Sequence, residues 1–256
     1  MSDDRFGGIA RLVSEAGLAR LRAAHVCVAG IGGVGSWAVE ALARSGVGAL
    51  TLIDLDEVCV TNINRQLHAL DSTVGRAKAE VMAERVRLIN PECRVVAAVE
   101  FFTEANAERL LPPDISAVVD AIDAVSNKSR LLALCAQRKL PVITCGAAGG
   151  RLDATAVRIA DLAEVSHDRL FAQVRKRLRN QFGFPATGQP FGIPAVFSPE
   201  APALPEPTDC AEEELTDAAI ARRLNCEWGY GSATFVTGTF GFAAAGWVVR
   251  KLAASP

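Results

Sequence analysis

Two kinds of pattern alternate along the first 150 residues. Short runs are apolar at nearly every position, which predicts strands covered on both faces. Longer runs carry apolar residues every three or four positions, which predicts helices packed by one face. Residues 8–24 have the helical period, with Leu12, Leu18 and Leu21 as the expected inner face. The run 25–29 reads as a buried strand ending at a glycine cluster, and 49–53 as a second, ended by Asp54. Between them, 34–45 reads as a helix closed by Gly46. A helix over 76–89 stops at Asn90-Pro91, and strands follow at 94–99 and 115–121. Asp120 stands near the end of the latter and Asp123 just beyond it. A helix over 128–139 and a strand over 141–145, before Gly146, complete this part. Strands alternating with helices predict an α/β chain with a mostly parallel sheet covered on both faces.

The second half is less regular. Residues 155–160 read as a strand and 168–179 as a basic helix. The stretch 182–207 holds seven prolines and reads as one long loop. From Trp228 to Val249 there is no charged residue, and Arg250-Lys251 follow. That is about the ~20 residues a membrane span needs, but five glycines and several hydroxyl residues interrupt it. We expect a buried or dimer-packed C-terminal helix, with membrane contact as the alternative. The chain reads as a single domain over 1–256, with a core over 1–150 and an extension over 151–256.

Composition narrows the class. Half of the 256 residues are hydrophobic and 22% are charged, enough for a large core and against disorder. Lys and Arg number 27 against 29 Asp and Glu, which excludes a wholly basic nucleic-acid coat protein but allows a local basic patch. Seven cysteines, at 27, 59, 93, 135, 145, 210 and 226, include no CxxC pair. A disulfide framework and a four-cysteine zinc site are therefore not expected. The charged start, Met1 to Arg5, has no apolar segment after it and is not a secretory signal. A cytoplasmic protein is expected, with membrane association through the C-terminal helix as the alternative.

The candidate chemistry begins at Gly30-Ile31-Gly32-Gly33-Val34-Gly35-Ser36, after the first strand and at the start of a helix. Glycine lets the backbone turn sharply and approach a phosphate, and the helix start offers free N–H groups. Asp54 ends the second strand, where a carboxylate can take ribose hydroxyls. This much fits any Rossmann-like dinucleotide site, including that of a nicotinamide-dependent oxidoreductase. No Gly-Lys-Ser or Gly-Lys-Thr closes a glycine loop, so a P-loop is excluded. The next residues discriminate. Asp56, Asn62, Arg65, Gln66 and Lys78 follow, and hydride transfer needs no Arg and Lys beside the phosphates. Nucleotidyl transfer does, because charge builds on the α-phosphate and on departing pyrophosphate. Asp123 is placed for the Mg2+ that neutralises those phosphates.

The glycine loop, Asp54-x-Asp56, Asn62-x-x-Arg65-Gln66, Lys78 and Asp123 together resemble the ubiquitin-activating-type adenylating enzymes. The resemblance implies a Rossmann-like ATP-binding fold with a C-terminal extension, with ATP and Mg2+ as cofactors. It implies that Asp54 binds ribose, that Arg65 and Lys78 bind triphosphate, and that Asp123 binds the metal. Gly32, Gly33, Gly35, Ser36, Asp56, Asn62 and Gln66 complete the nucleotide site in the same way. A homodimer is implied too, with an N-terminal arginine, Arg11 or Arg5, reaching the partner's ATP. Members that adenylate sulfur-carrier proteins usually hold a structural zinc on two CxxC pairs, absent here. The chain is more similar to the subgroup acting on tRNA, through Arg5 to Gly8, Val58 to Asn62, Arg65-Gln66-x-His68, Gly146 to Gly150 and Cys226-x-x-Gly229-x-Gly231.

That subgroup implies ATP-dependent dehydration of tRNA threonylcarbamoyladenosine to a cyclic form. The threonyl carboxylate is activated as an acyl-adenylate, and the neighbouring carbamoyl group closes the ring. The alternative is activation of the C-terminus of a ubiquitin-like sulfur carrier. A further alternative is a non-enzymatic nucleotide-binding module that partners a cysteine desulfurase or sulfur acceptor. For tRNA contact, Arg175, Lys176 and Arg179 lie in a segment without acids, where Leu170, Val174 and Leu178 predict a docked stripe. The basic residues are then expected to face solvent and meet phosphates, with His167 and Arg151 as further candidates. Cys226 ends the segment matching the family's crossover loop. A covalent role, a site-lining role and plain packing all remain open for it.

Overall fold

The computed structural model describes residues 4–203 and 230–254. Strands β1 (His25–Ala29), β2 (Ala49–Ile53), β3 (Arg94–Ala98), β4 (Ala117–Asp120), β5 (Val142–Cys145), β6 (Arg158–Asp161) and β7 (Pro194–Phe197) form one sheet. Its order is β3-β2-β1-β4-β5-β7-β6. All neighbours run parallel except β6 and β7, which are antiparallel. The chain moves outward from β1 to β3, then returns to lay β4 on the other side of β1. Ligands of open α/β sheets bind at such a reversal, beyond the carboxyl ends of the strands.

The helices are α1 (Gly7–Val13), α2 (Glu15–Ala23), α3 (Gly35–Arg44), α4 (Lys78–Ile89), α5 (Ala107–Leu110), α6 (Val125–Arg138), α7 (Arg169–Phe182) and α8 (Thr234–Ala253). One apolar cluster joins β1, β2, α3, α4 and α8 on one face of the sheet. A second joins β4, α6 and α7 on the other. Strands β1, β2, β4 and β5 are buried throughout, as their apolar runs predict, whereas β3 alternates at the sheet edge.

Three expectations need correction. The helix over 8–24 is two helices, broken at Ser14, whose φ is 71° and whose hydroxyl accepts from Gly17 N. The break turns Leu12 away from the core, leaving it 79% exposed, while Leu18 and Leu21 stay buried. The proline-rich stretch is not loop throughout, because Pro194–Phe197 forms β7 between β5 and β6. Proline is tolerated there because it holds the first position of the strand. The strand expected at 155–160 is β6, displaced to Arg158–Asp161 behind a short 3-10 turn at Ala154–Ala156.

The C-terminal helix α8 lies chiefly along α3. A Cβ at Gly241 would sit 2.5 Å from the Val34 carbonyl oxygen and 2.8 Å from Trp37 Cβ. Its glycines therefore bring two helices into close contact, which explains a long uncharged stretch without a bilayer. Among the described residues no helix is long and apolar enough to cross a membrane.

Candidate nucleotide site

The turn from β1 into α3 is built by steric exclusion. Gly30 has a φ of 87°, and a Cβ there would lie 2.6 Å from the Ala121 carbonyl oxygen. A Cβ at Gly35 would lie 1.8 Å from the Gly30 carbonyl oxygen. The glycine loop thus presses directly on the exit of β4. Gly32 differs, since its nearest neighbour would be Gln66 Nε2 at 3.8 Å. Space is left beside the backbone there, where a phosphate could approach. Ser36 is buried at the helix start; its amide donates to Gly32 O, and its hydroxyl accepts from Leu67 N.

Asp54 ties the end of β2 to this loop. Its carboxylate accepts from Ile31 N at 2.6 Å and from Asp56 N at 2.8 Å. Burial pushes the Asp54 carboxyl up, although the two backbone donors and the Lys78 charge oppose this. Asp56 in turn accepts from Lys78 Nζ at 2.8 Å, with the lysine buried and the aspartate open to solvent. Lys78 is therefore held within the site by a carboxylate rather than left to solvent.

Arg65 lies over Gly33, where a Cβ would be 3.5 Å from Arg65 Cγ. Its Nη1 donates to Thr61 O at 2.7 Å and to Asn64 Oδ1 at 3.0 Å. Asn62 is buried and accepts from Cys59 N, shaping the turn that precedes Arg65. Gln66 is buried, and its Oε1 has no partner among the described residues. A buried acceptor without a donor among the described residues fits a ligand group that donates, such as a hydroxyl.

Asp123 follows β4 on an exposed segment. The N-cap of α6 is Ala124, so Asp123 does not serve as a helix cap. Among the described residues no group of three His, Cys, Asp or Glu side chains converges. One carboxylate with substrate phosphates is nevertheless a usual donor set for Mg2+. Arg11 is exposed on α1, with its guanidinium back beside Gly7 and Gly8.

Several contributors escaped the sequence reading. His68 is buried against the glycine loop, its Nε2 donating to Ile31 O at 2.7 Å. Burial, opposed by that bond, pushes its pKa down, so the ring is held neutral. Lys128 and Asp120 form a fully buried ion pair at 2.9 Å. Lys128 also donates to Ile122 O at 2.9 Å, fixing the segment that carries Asp123. Helix α8 holds the Arg65 block from the far end of the sequence. Thr237 Oγ1 of α8 donates to Arg65 O, which also accepts from Trp37 Nε1 of α3, and Asn64 Nδ2 donates at 2.7 Å to the carbonyl of Ser232, just ahead of α8. A signal for this existed in the hydroxyl residues scattered through the uncharged C-terminal stretch.

The basic helix departs from expectation. Arg175 Nη1 donates to Val165 O at 2.9 Å, and Arg179 Nε to Pro185 O at 3.1 Å. Arg179 also covers the Phe191 ring, 5.0 Å from its centroid. Both arginines are half-buried, Arg175 against the segment before α7 and Arg179 under the loop after it; Lys176 is exposed, as expected. Cys27, Cys93, Cys135 and Cys145 are buried, and burial pushes Cys93 to about 11 and Cys135 and Cys145 to about 12. They are inert thiols at neutral pH. Cys210 and Cys226 lie outside the described residues.

A Rossmann-like sheet, a glycine loop at its reversal point and cations held beside that loop define a nucleotide-binding domain of the adenylating type. The chain belongs to the ThiF family, whose model matches residues 8–254. It is 49% identical over 253 residues to the tRNA threonylcarbamoyladenosine dehydratase of Escherichia coli, covering 98% of this chain and 94% of that one. The E. coli protein solved in complex with ATP superposes with a TM-score of 0.86 at 47% identity, covering 97% and 93% of the two chains. Similarity to the molybdopterin-synthase adenylyltransferase of Salmonella typhimurium, 39% identical, covers only 48% of this chain and 49% of that one.

Proposed function

We propose that this protein is an ATP-dependent tRNA dehydratase that closes the threonylcarbamoyl group of a modified adenosine into a ring. The observation that carries the reading is that Arg65 and Lys78 both come to the glycine loop, one over Gly33 and one through Asp56 and Asp54. Two cations there serve transfer at a phosphate and have no use in hydride transfer. Likeness over nearly the whole chain to a dehydratase, against half the chain for a sulfur-carrier enzyme, supports the tRNA substrate.

In this reading the backbone around Gly32 and the start of α3 receive the phosphates of ATP, and Asp54 receives the ribose. Asp123 would hold Mg2+, which neutralises charge on the departing pyrophosphate. The threonyl carboxylate attacks the α-phosphate and pyrophosphate leaves. The resulting acyl-adenylate has AMP as a leaving group in place of oxide. An atom of the carbamoyl group then attacks the activated carbonyl, AMP departs, and the net change is loss of water. The second step is intramolecular, so orientation supplies much of its rate.

A homodimer accompanies the reading. Phe235 and Phe242 are half-exposed on α8, and Phe242 packs edge-on against Trp37 at 5.7 Å. Sedimentation of the intact chain tests it. A cytoplasmic location follows from the substrate. The division into a nucleotide-binding core over 1–150 and a tRNA-contacting extension over 151–256 is part of the same proposal. The direct test of the function is mass analysis of tRNA nucleosides after incubation with ATP and the protein.

A further inference from the structure

We propose that the cavity at the start of α7 is an anion subsite that takes a phosphodiester of the RNA strand, with Arg151 as its buried cation. This rests on the tRNA reading above and names a place where the substrate is held. The cavity has a volume of about 430 Å³ and is lined by His167, Arg169, Ala172, Arg175, Pro202 and Tyr230, together with the Asp168 carboxylate. Arg151 lies behind its wall, with Nη2 donating to the His167 carbonyl at 2.6 Å. The residue is 3% exposed, yet its Nε and Nη1 have no hydrogen-bond partner among the described residues. The buried hydroxyl of Tyr230 is also without one.

A guanidinium carries five donors in a fixed fork, and burying them without acceptors is costly. The nearby carboxylates do not meet the demand. Asp168 is used by Ala147 N at 2.9 Å and by Phe171 N at 2.8 Å, where it caps α7. Glu200 accepts from Leu152 N and Asp153 N, each at 3.1 Å. Their charges favour the Arg151 cation from a distance without forming an ion pair with it. Arg169 and Arg175 add positive charge to the wall. His167 has a φ of 54°, the left-handed region that a residue with a side chain occupies only when its surroundings hold it there. Its carbonyl is the one that grips Arg151.

Position selects the ligand. Asp168 couples α7 to Ala147 at the exit of β5, and β5 adjoins β4, which leads to Asp123. The cavity therefore opens at the same sheet edge as the nucleotide site, on the side away from β2 and Asp54. The threonyl carboxylate must sit at the α-phosphate, so it is not the occupant here. A neighbouring phosphodiester of the same strand supplies the acceptors that Arg151 and Tyr230 lack, and guanidinium matches phosphate with paired bonds.

The test is the affinity of the full-length protein for a labelled tRNA anticodon stem-loop across a salt series, with Arg151→Gln and Arg169→Gln. Arg169 is exposed, so its replacement leaves the fold intact and guards against a misfolded Arg151 variant. We expect about tenfold weaker binding for Arg151→Gln and about threefold for Arg169→Gln, in line with a lost charge-assisted bond. The slope of log affinity against log salt should fall by roughly 0.7 for each. Affinity and slope within twofold of wild type in both variants would overturn the subsite. Weakened RNA binding in a protein whose wild type dehydrates nothing would sink the enzymatic reading and leave the subsite standing. A wild type with no measurable RNA affinity would overturn both.

Discussion

Lys128 Nζ and Asp120 Oδ2 face each other at 2.9 Å with both side chains fully buried. Thr144 Oγ1 donates to the same carboxylate at 2.6 Å, and Lys128 lies 5.6 Å from the Phe171 ring centroid. The pair locks β4 to α6 and, through Ile122, sets the segment that leads to Asp123. Removing one partner leaves the other charge buried alone. Lys128→Met should therefore cost about 3–5 kcal/mol of unfolding free energy, read by urea denaturation. An unchanged midpoint would mean that the pair is not buried as described.

Glu40 on α3 binds Arg85 of α4 at 2.7 Å and Arg44 at 2.7 Å. Burial pushes its carboxyl up, but the two guanidiniums outweigh this and hold it below the ordinary 4.5. A depressed folded pKa adds stability above the unfolded value and loses it as pH falls through the folded one. Glu40→Gln should thus lower the melting temperature at pH 7 and flatten the acid limb of the stability profile. Once pH has fallen below the depressed folded pKa of Glu40, the two proteins should melt together. A gap that persists there would assign the effect to packing instead of charge.

Gly35 and Gly32 should respond differently to alanine. At Gly35 the new methyl meets backbone at 1.8 Å, so Gly35→Ala should disrupt the β1–α3 turn and destabilise the fold. At Gly32 the nearest atom among the described residues, beyond its chain neighbours, is Gln66 Nε2 at 3.8 Å. Gly32→Ala should fold normally and bind ATP at least tenfold more weakly by calorimetry, because the methyl fills space that a phosphate needs. Full ATP affinity in that variant would move the phosphates elsewhere.

Asp123 is exposed and caps no helix, so Asp123→Ala should leave the melting temperature within about 1 °C, as for most surface changes. ATP turnover should nevertheless be abolished. Normal turnover would remove Asp123 from the site.

The strands β1, β2, β4 and β5 were legible because parallel strands buried on both faces need unbroken apolar runs. The glycine loop was legible because its glycines are forced by steric limits within the first βα turn. Contacts between distant segments were not. The Lys128–Asp120 pair looks like two ordinary charges in sequence, and only the crossing of α6 over β4 joins them. The hold of α8 on Arg65 depends on segments 172 residues apart meeting, as in the bond from Thr237 Oγ1 to Arg65 O. The solvent-facing basic helix was half right: the 3.6-residue period placed Val174 and Leu178 correctly, but nothing local revealed that the loop after α7 would cover Arg179. Strand β7 was hidden by its own leading proline and by the prolines around it.

The most direct test is mass spectrometry of nucleosides from tRNA carrying threonylcarbamoyladenosine, incubated with the protein, Mg2+ and ATP. The account predicts that the threonylcarbamoyl nucleoside loses the mass of one water, only when ATP is present, while ATP is converted to AMP and pyrophosphate. An unchanged nucleoside, with ATP cleaved only when a sulfur-carrier C-terminus is supplied, would contradict it.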